Sequence, residues 1–367
     1  MSLSRREFLV RSGLFAVLSP SVLAACSSGG KTSGSKKTVS IAAWPAYLDG
    51  SDDPTKSPTI ASFTKTTGIE VDYQVAIDDN VTFTSKFEAD LKSGKGIGFD
   101  IAQPTSWMAA KWIENGWVES LGEVPNKGNL VDSLTNVAYD PDRSKSLPYS
   151  IIQTGIAYYP DKTGGEIASI KDLFNPALKG KITILTEMRD SVGFMLLMNG
   201  ISPADASLGD MLKACEELKK LRDAGQFRKI TGNGYIEDLG TGDTAASMAW
   251  SGDVASIQAD APDLKWVIPA EGGMLSSDTL VIPKGGNVET ASAWINYLYD
   301  PKVSGPLFEA INYGSPVKGA SESMSDAAKN SSVINPGPEV ALSTFRSLTD
   351  DEATQVENAF IAATQQG

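Results

Sequence analysis

The sequence contains no histidine, and this absence excludes several kinds of chemistry at once. None of the 367 residues is a histidine, so Ser-His-Asp and Cys-His nucleophilic sites, histidine-ligated zinc and histidine-ligated haem are ruled out. The sequence also lacks a G-x-S-x-G nucleophile elbow and a Walker A loop. We therefore expect no catalytic residues, no cofactor and no metal ion.

Positive charge is also scarce. The chain has 32 lysines and arginines against 45 aspartates and glutamates, a formal net charge of -13. Such a protein repels phosphate backbones, so we expect no nucleic-acid partner. Its electrostatic field favours cations.

Only two cysteines are present, and the first lies in an N-terminal pattern typical of export. Arg5 and Arg6 precede a short apolar run at 13–18, and LAAC follows at 23–26. The pattern resembles a twin-arginine signal that ends in a bacterial lipoprotein box. It predicts a signal peptide at 1–25, lipid attachment at Cys26 and a flexible tether at 26–38. The protein would then be anchored on the extracytoplasmic face of a membrane.

The second cysteine is expected to be structural. Cys215 lies in a segment whose apolar residues recur at helical spacing, and an acylated Cys26 would leave it without a disulfide partner. The sequence therefore predicts a buried free thiol.

Strand and helix patterns alternate along the rest of the chain. Apolar runs typical of strands begin at Val39, Ile69 and Phe99, and amphipathic segments separate them. Helix boundaries are visible as well, because Ser57-Pro58 starts one helix, Gly68 ends it, and Asn80 is expected to cap the next. The alternation starts again after Pro148. It predicts two α/β lobes with mainly parallel sheets.

Large aromatic residues stand where several predicted strands end. Trp44 and Trp250 close their strands, Trp107 follows another, and acids lie nearby at Asp253 and Asp278. Ligands of open α/β sheets bind at the carboxyl ends of strands, so these residues are candidates for a binding cleft. Paired acids elsewhere, such as those at 52–53, 78–79 and 350–351, are expected to serve turns and helix caps.

Several segments together resemble the spermidine/putrescine-binding lipoproteins of bacterial ABC importers. The resemblance covers residues 38–317 and is clearest in WPAY at 44–47, FDIAQPTSW at 99–107, AWSGD at 249–253 and DTL at 278–280. It implies a type II periplasmic-binding-protein fold with two α/β lobes, crossing hinge segments and a ligand cleft between the lobes. The implied lobe limits are 39–147 with 274–318, and 148–273 with 319–367.

The resemblance also implies a function and a set of ligand-binding residues. The protein would be a monomer, not an enzyme, that delivers a polyamine or another small amine to an ABC permease. The residues implied at the ligand are Trp44, Tyr47, Thr105, Trp107, Glu187, Ser191, Trp250, Asp253, Asp278 and Tyr313.

Two positions depart from the family pattern. Ser191 stands where the family often has an acid; Glu187 is the expected substitute, and Asp190 could equally be a helix-start charge. Ser276 replaces an aromatic residue two positions before Asp278. The cleft should therefore be roomier and less acidic than usual, which leaves putrescine or another amine-bearing solute open.

Two other functional classes stay open at this point. One is a related receptor for another solute, such as ferric ion, an aminophosphonate or a sugar. The other is a histidine-free glycosidase that works with paired acids.

Overall fold

The computed structural model describes residues 37–335 and 340–365, and these form two α/β lobes. The predicted signal peptide, Cys26 and nearly all of the tether lie outside the described residues. The strands are β1 Thr38–Ala43, β2 Glu70–Val75, β3 Ile101–Ala102, β4 Ser146–Pro148, β5 Ile152–Tyr158, β6 Ile182–Leu185, β7 Phe227–Thr231, β8 Ala246–Trp250, β9 Lys265–Val267, β10 Gly273–Ser276, β11 Thr279–Val281 and β12 Leu342–Ser343. The helices are α1 Pro58–Thr67, α2 Asn80–Ser93, α3 Ser106–Glu114, α4 Pro160–Thr163, α5 Ile170–Leu173, α6 Met188–Met198, α7 Leu208–Asp223, α8 Tyr235–Gly240, α9 Ser251–Gln258, α10 Val288–Leu298, α11 Pro301–Ile311, α12 Asp326–Lys329 and α13 Asp350–Thr364.

The first lobe is built on a five-stranded sheet with apolar side chains on both faces. Its strand order is β2-β1-β3-β11-β4. Successive residues of a strand point to opposite faces. Accordingly Ile41 joins a core that contains Phe63 and Trp294, whereas Ala42 joins a second core that contains Trp112. Helices therefore cover the sheet on both sides.

The second lobe is built on a seven-stranded sheet. Its order is β12-β10-β5-β8-β6-β7, and β9 also pairs with β5. The central strand β5 is buried along its whole length. Helices α6, α7 and α13 contribute Phe194, Leu218 and Phe360 to the core of this lobe.

Both sheets are mixed, so the prediction of mainly parallel sheets is wrong. In the first sheet β1 runs parallel to β2 and β3, but β11 runs antiparallel to β3 and β4. In the second, β5 runs antiparallel to β8, β9 and β10. Strands that enter a sheet from the other lobe lack the helical crossover that enforces parallel pairing. The prediction of two α/β lobes is confirmed.

The chain crosses between the sheets in two segments that lie side by side. It leaves the first sheet after Pro148 and enters the second at Ile152; it leaves the second after Ser276 and re-enters the first at Thr279. The amide of Tyr149 donates to the carbonyl of Asp278 over 2.6 Å, which joins the two segments. Asp278 therefore lies directly in the hinge region.

Two of the predicted lobe limits differ from the observed strand and core positions. The second crossing follows Ser276, because the residues after Gly273 form β10 and pair with β5. The last return falls after Ile334, because Ala320, Met324 and Ile334 still pack in the core of the first lobe.

Local signals explain several helix ends. Ser57 caps α1 with its side chain, and Gly68 ends that helix at a φ of 73°, as predicted. The predicted cap of α2 at Asn80 is wrong: Asp79 accepts the hydrogen bond from the amide of Thr82 over 2.7 Å. Asn80 instead makes two hydrogen bonds to Thr105.

Cys215 is a free cysteine in the interior of α7, as predicted. Burial raises the pKa of its thiol to about 12, so the reactive thiolate is scarce at neutral pH. Over the described ranges, no helix is both long enough and apolar enough to cross a bilayer.

Candidate functional site

The cluster around Asp278 combines residues from the hinge and the first lobe. The Tyr47 hydroxyl donates to one oxygen of the Asp278 carboxylate, and the Thr105 hydroxyl donates to the other over 2.7 Å. Thr105 stands at the N-cap of α3, where Asn80 holds it through hydrogen bonds of 2.9 and 3.0 Å. These donors fix the orientation of a carboxylate that is 4% exposed.

The cluster around Asp253 belongs to the second lobe. Asp253 lies in the first turn of α9, and the Tyr235 hydroxyl donates to its carboxylate. The same hydroxyl accepts from the amide of Trp250 over 3.1 Å. Tyr235 was not predicted from the sequence, because its segment shows only the apolar spacing of an ordinary helix.

Tyr313 links these two clusters. Its ring centroid lies 5.3 Å from that of Tyr47, and burial together with Asp253 and Asp278 raises the pKa of its hydroxyl well above the usual value. Gly252 packs directly against the ring, and a Cβ there would lie 2.5 Å from it. The absence of that Cβ allows α9 of one lobe to approach an aromatic residue of the other.

The third acid of the site is Asp190, which is buried and which from the sequence alone could equally be a helix-start charge. Its carboxylate accepts from the indole of Trp250 over 2.8 Å and from the hydroxyl of Thr154 over 3.0 Å. The neighbouring Ser191 donates to the carbonyl of Leu185 over 2.6 Å. Thus the acid that contacts the aromatic cluster lies one residue before the position expected from the family pattern. The sequence signal that could have identified Asp190 is a single acid at the start of an apolar helical segment.

Three further predicted residues lie around these clusters. The indole of Trp44 donates to the carbonyl of Gln103 over 2.7 Å. Glu187 caps α6 by accepting from the amide of Arg189 over 3.2 Å. Trp107, in the first turn of α3, packs against the guanidinium of Arg189.

The acids of the site hold protons unusually tightly. Burial raises the pKa of Asp278 to about 6, against the hydrogen bonds from Tyr47 and Thr105, which lower it. Burial likewise raises the pKa of Asp253 to about 6. Burial, reinforced by Glu187, raises the pKa of Asp190 to about 7. A carboxylate shows this behaviour when the cost of its removal from water outweighs any positive charge nearby. At Asp190 the charge of Arg189 lowers the pKa but does not cancel the effect of burial.

No lysine or arginine within the described ranges forms an ion pair with Asp190, Asp253 or Asp278. Tyr47, Tyr235, Trp250 and Tyr313 surround these acids with aromatic rings. Buried carboxylates need a cation, and aromatic faces attract one. The chemistry of the site is therefore suited to an organic cation.

Comparisons with known proteins agree with this geometry. The family model for bacterial extracellular solute-binding proteins matches residues 59–333. The spermidine/putrescine-binding periplasmic protein 1 of Haemophilus influenzae is 29% identical over 287 residues, 77% of this chain and 76% of that protein. The putrescine-binding periplasmic protein SpuD of Pseudomonas aeruginosa is 28% identical over 327 residues, 83% of this chain and 85% of that protein.

A solved structure shows the same fold. The spermidine/putrescine ABC transporter substrate-binding protein PotD of Streptococcus pneumoniae superposes with a TM-score of 0.76, at 23% identity, over 89% of this chain and 98% of that one. The architecture is that of a type II periplasmic binding protein, a two-lobed receptor fold. The chain belongs to the family of bacterial extracellular solute-binding proteins, so the family resemblance predicted from the sequence is confirmed.

Proposed function

We propose that this protein is the solute receptor of a bacterial ABC importer and that its solute is a polyamine of the putrescine and spermidine type. The main support is the pair Asp253 and Asp278, a half-buried and a buried carboxylate that both lie near Tyr313. Neither forms an ion pair with a cation among the described residues. The relatives from Haemophilus influenzae and Pseudomonas aeruginosa are putrescine- or spermidine-binding proteins by name, which agrees with this chemistry.

Each end of a diamine meets one need of the site. A carboxylate that is removed from water without a positive charge beside it destabilises the protein. An ammonium beside Asp253 or Asp278 supplies that charge. The methylenes between the ammonium groups suit the rings of Tyr47, Trp250 and Tyr313, and each cation–aromatic contact contributes about 0.5–2 kcal/mol. The protein would act as a monomer that hands the solute to a permease and performs no reaction on it.

A thermal-shift panel tests this function. The free energy of unfolding should rise by about 2.7 kcal/mol at a putrescine concentration one hundred times the Kd, since the ligand binds the folded state only. Butylamine, which has one ammonium, is the matched control and should stabilise less. Stabilisation by ferric ion, an aminophosphonate or a sugar, with none by any amine, would point to a different receptor. Turnover of a glycoside would identify an enzyme.

We also propose that Cys26 carries the lipid that holds the receptor at the membrane. Cys26→Ser should move the protein from the membrane fraction to the soluble fraction of fractionated cells. Cys215→Ser is the matched control, because that thiol is buried in α7, and it should leave the protein at the membrane. Wild-type retention of Cys26→Ser would contradict the lipid anchor.

A further inference from the structure

Arg189 is an unusual residue for a site that is suited to cations. It is the second residue of α6, and its guanidinium lies 3.9 Å from the ring centroid of Trp107. Its side chain is only 15% exposed. Arg189 comes from the second lobe and Trp107 from the first, so a protein cation covers an aromatic face at the junction of the two.

The partner of Arg189 is also an acid of the site. The guanidinium lies 3.7 Å from the carboxylate of Glu187, its only ion pair among the described residues. Glu187 lies close enough to Asp190 and Asp278 to raise the pKa of both. The Glu187 carboxylate, which lies near Asp278, and the face of Trp107 thus both contact the guanidinium of Arg189.

We propose that Arg189 determines specificity by standing where a third ammonium group would bind, so that the receptor selects diamines over triamines. This proposal rests on the polyamine function proposed above. A diamine uses Asp253 and Asp278 and leaves the Arg189–Glu187 pair intact. A triamine must bring its third cation beside a largely buried guanidinium, and like charges at such short range are costly.

The guanidinium of Arg189, rather than a lack of space beside it, limits the length of the ligand. A cavity of about 440 Å³ lies next to Trp107 and Arg189, between α3 of the first lobe and the segment that begins at Phe345. Its wall also includes Lys111 and Arg346, but these pair with Asp350 and Glu352. The acids Glu88, Glu114 and Glu357 line the wall as well, so the cavity without Arg189 would suit a cation. Removing the guanidinium should therefore open a space that a longer amine can enter, with Glu187 free to pair with it.

Calorimetric titration with putrescine and spermidine tests the proposal. The wild-type protein should bind putrescine at least about tenfold more tightly than spermidine, because like-charge contact selects against the triamine. Arg189→Ala and the longer neutral variant Arg189→Met should each bind spermidine about tenfold or more tightly than wild type does. Arg189→Lys, which retains the positive charge, should keep the wild-type preference.

Two further variants separate specificity from loosening of the lobes. Lys111 also bridges the lobes, through an ion pair of 3.5 Å to Asp350, so Lys111→Ala is the matched control and should not change the preference. Adding Glu187→Gln to Arg189→Ala should abolish the gain for spermidine, since the third ammonium then lacks its acid.

The outcomes that overturn the proposal are distinct from failure of the proposed function. Equal binding of spermidine and putrescine by wild type, unchanged spermidine affinity in both neutral variants, or the same gain in Lys111→Ala would each refute a selective role for Arg189. If wild type binds no amine at all, the polyamine function itself is wrong.

Discussion

Asp278→Ala and Asp253→Ala should each weaken putrescine binding by about 2–5 kcal/mol, which is about thirtyfold to several thousandfold in Kd. Each substitution leaves an ammonium of the ligand buried without a counter-charge. It also leaves the Tyr47 or Tyr235 hydroxyl without its acceptor. Titration calorimetry of purified, folded variants measures the loss directly.

A buried aspartate elsewhere provides the matched control. Asp140 is 2% exposed and accepts hydrogen bonds from the amide and hydroxyl of Ser146, away from the proposed site. Asp140→Ala should lower the free energy of unfolding and leave putrescine affinity unchanged. If the Asp278 and Asp253 variants behave in the same way, these acids only shape a turn and a helix start.

Putrescine binding should weaken by about a hundredfold between pH 8 and pH 5. At pH 5, one unit below the pKa of each acid, each must release a proton before it can bind an ammonium, and each release reduces affinity about tenfold. Asp253 and Asp278 have pKa values of about 6 in the free protein, so they are ionised at pH 8 and protonated at pH 5. The amines of the ligand stay charged throughout. Titrations at several pH values, in buffers of matched ionic strength, measure the slope.

The same pKa values predict the opposite trend for the stability of the free protein. Folding raises the pKa of Asp253, so this acid has no effect on stability at a pH low enough for both the folded and the unfolded state to be protonated. As the pH rises, the unfolded state releases its proton first, and the folded state loses stability until the pH has passed about 6. Asp253→Asn should therefore stabilise the ligand-free protein at pH 8 by about 1–3 kcal/mol while weakening putrescine binding. It should also flatten the pH dependence of binding. A hundredfold slope that persists in this variant would contradict a role for Asp253.

Acids outside the site serve as an internal reference. The hydrogen-bonded ion pair with Arg346 lowers the pKa of Glu352 to about 2, so its carboxylate stays ionised from pH 5 to pH 8. It should contribute nothing to the slope.

Local sequence signals were sufficient for much of the fold. The Ser57 cap and the Gly68 stop were predictable because each acts within one helical turn. The aromatic residues at strand ends were predictable as cleft candidates because strand ends converge at the edge of a sheet. Trp250 and Asp253 illustrate this, since the first closes β8 and the second lies in the turn that follows.

The remaining features depend on contacts between residues far apart in the chain. Tyr235 meets Asp253, and Asp190 meets Trp250, only after α8 and α6 have packed against β8. The mixed sheets arise because β10 and β11 lie on either side of a lobe crossing, which apolar periodicity does not reveal. The true partner of Asn80 was hidden for the same reason, as Thr105 lies in another loop.

Calorimetric titration of the wild-type protein with putrescine at pH 8 tests the central claim most directly. The account predicts saturable binding of about one putrescine per chain, in keeping with a single site between two lobes. A folded protein that shows no saturable binding of putrescine up to millimolar concentration would contradict it.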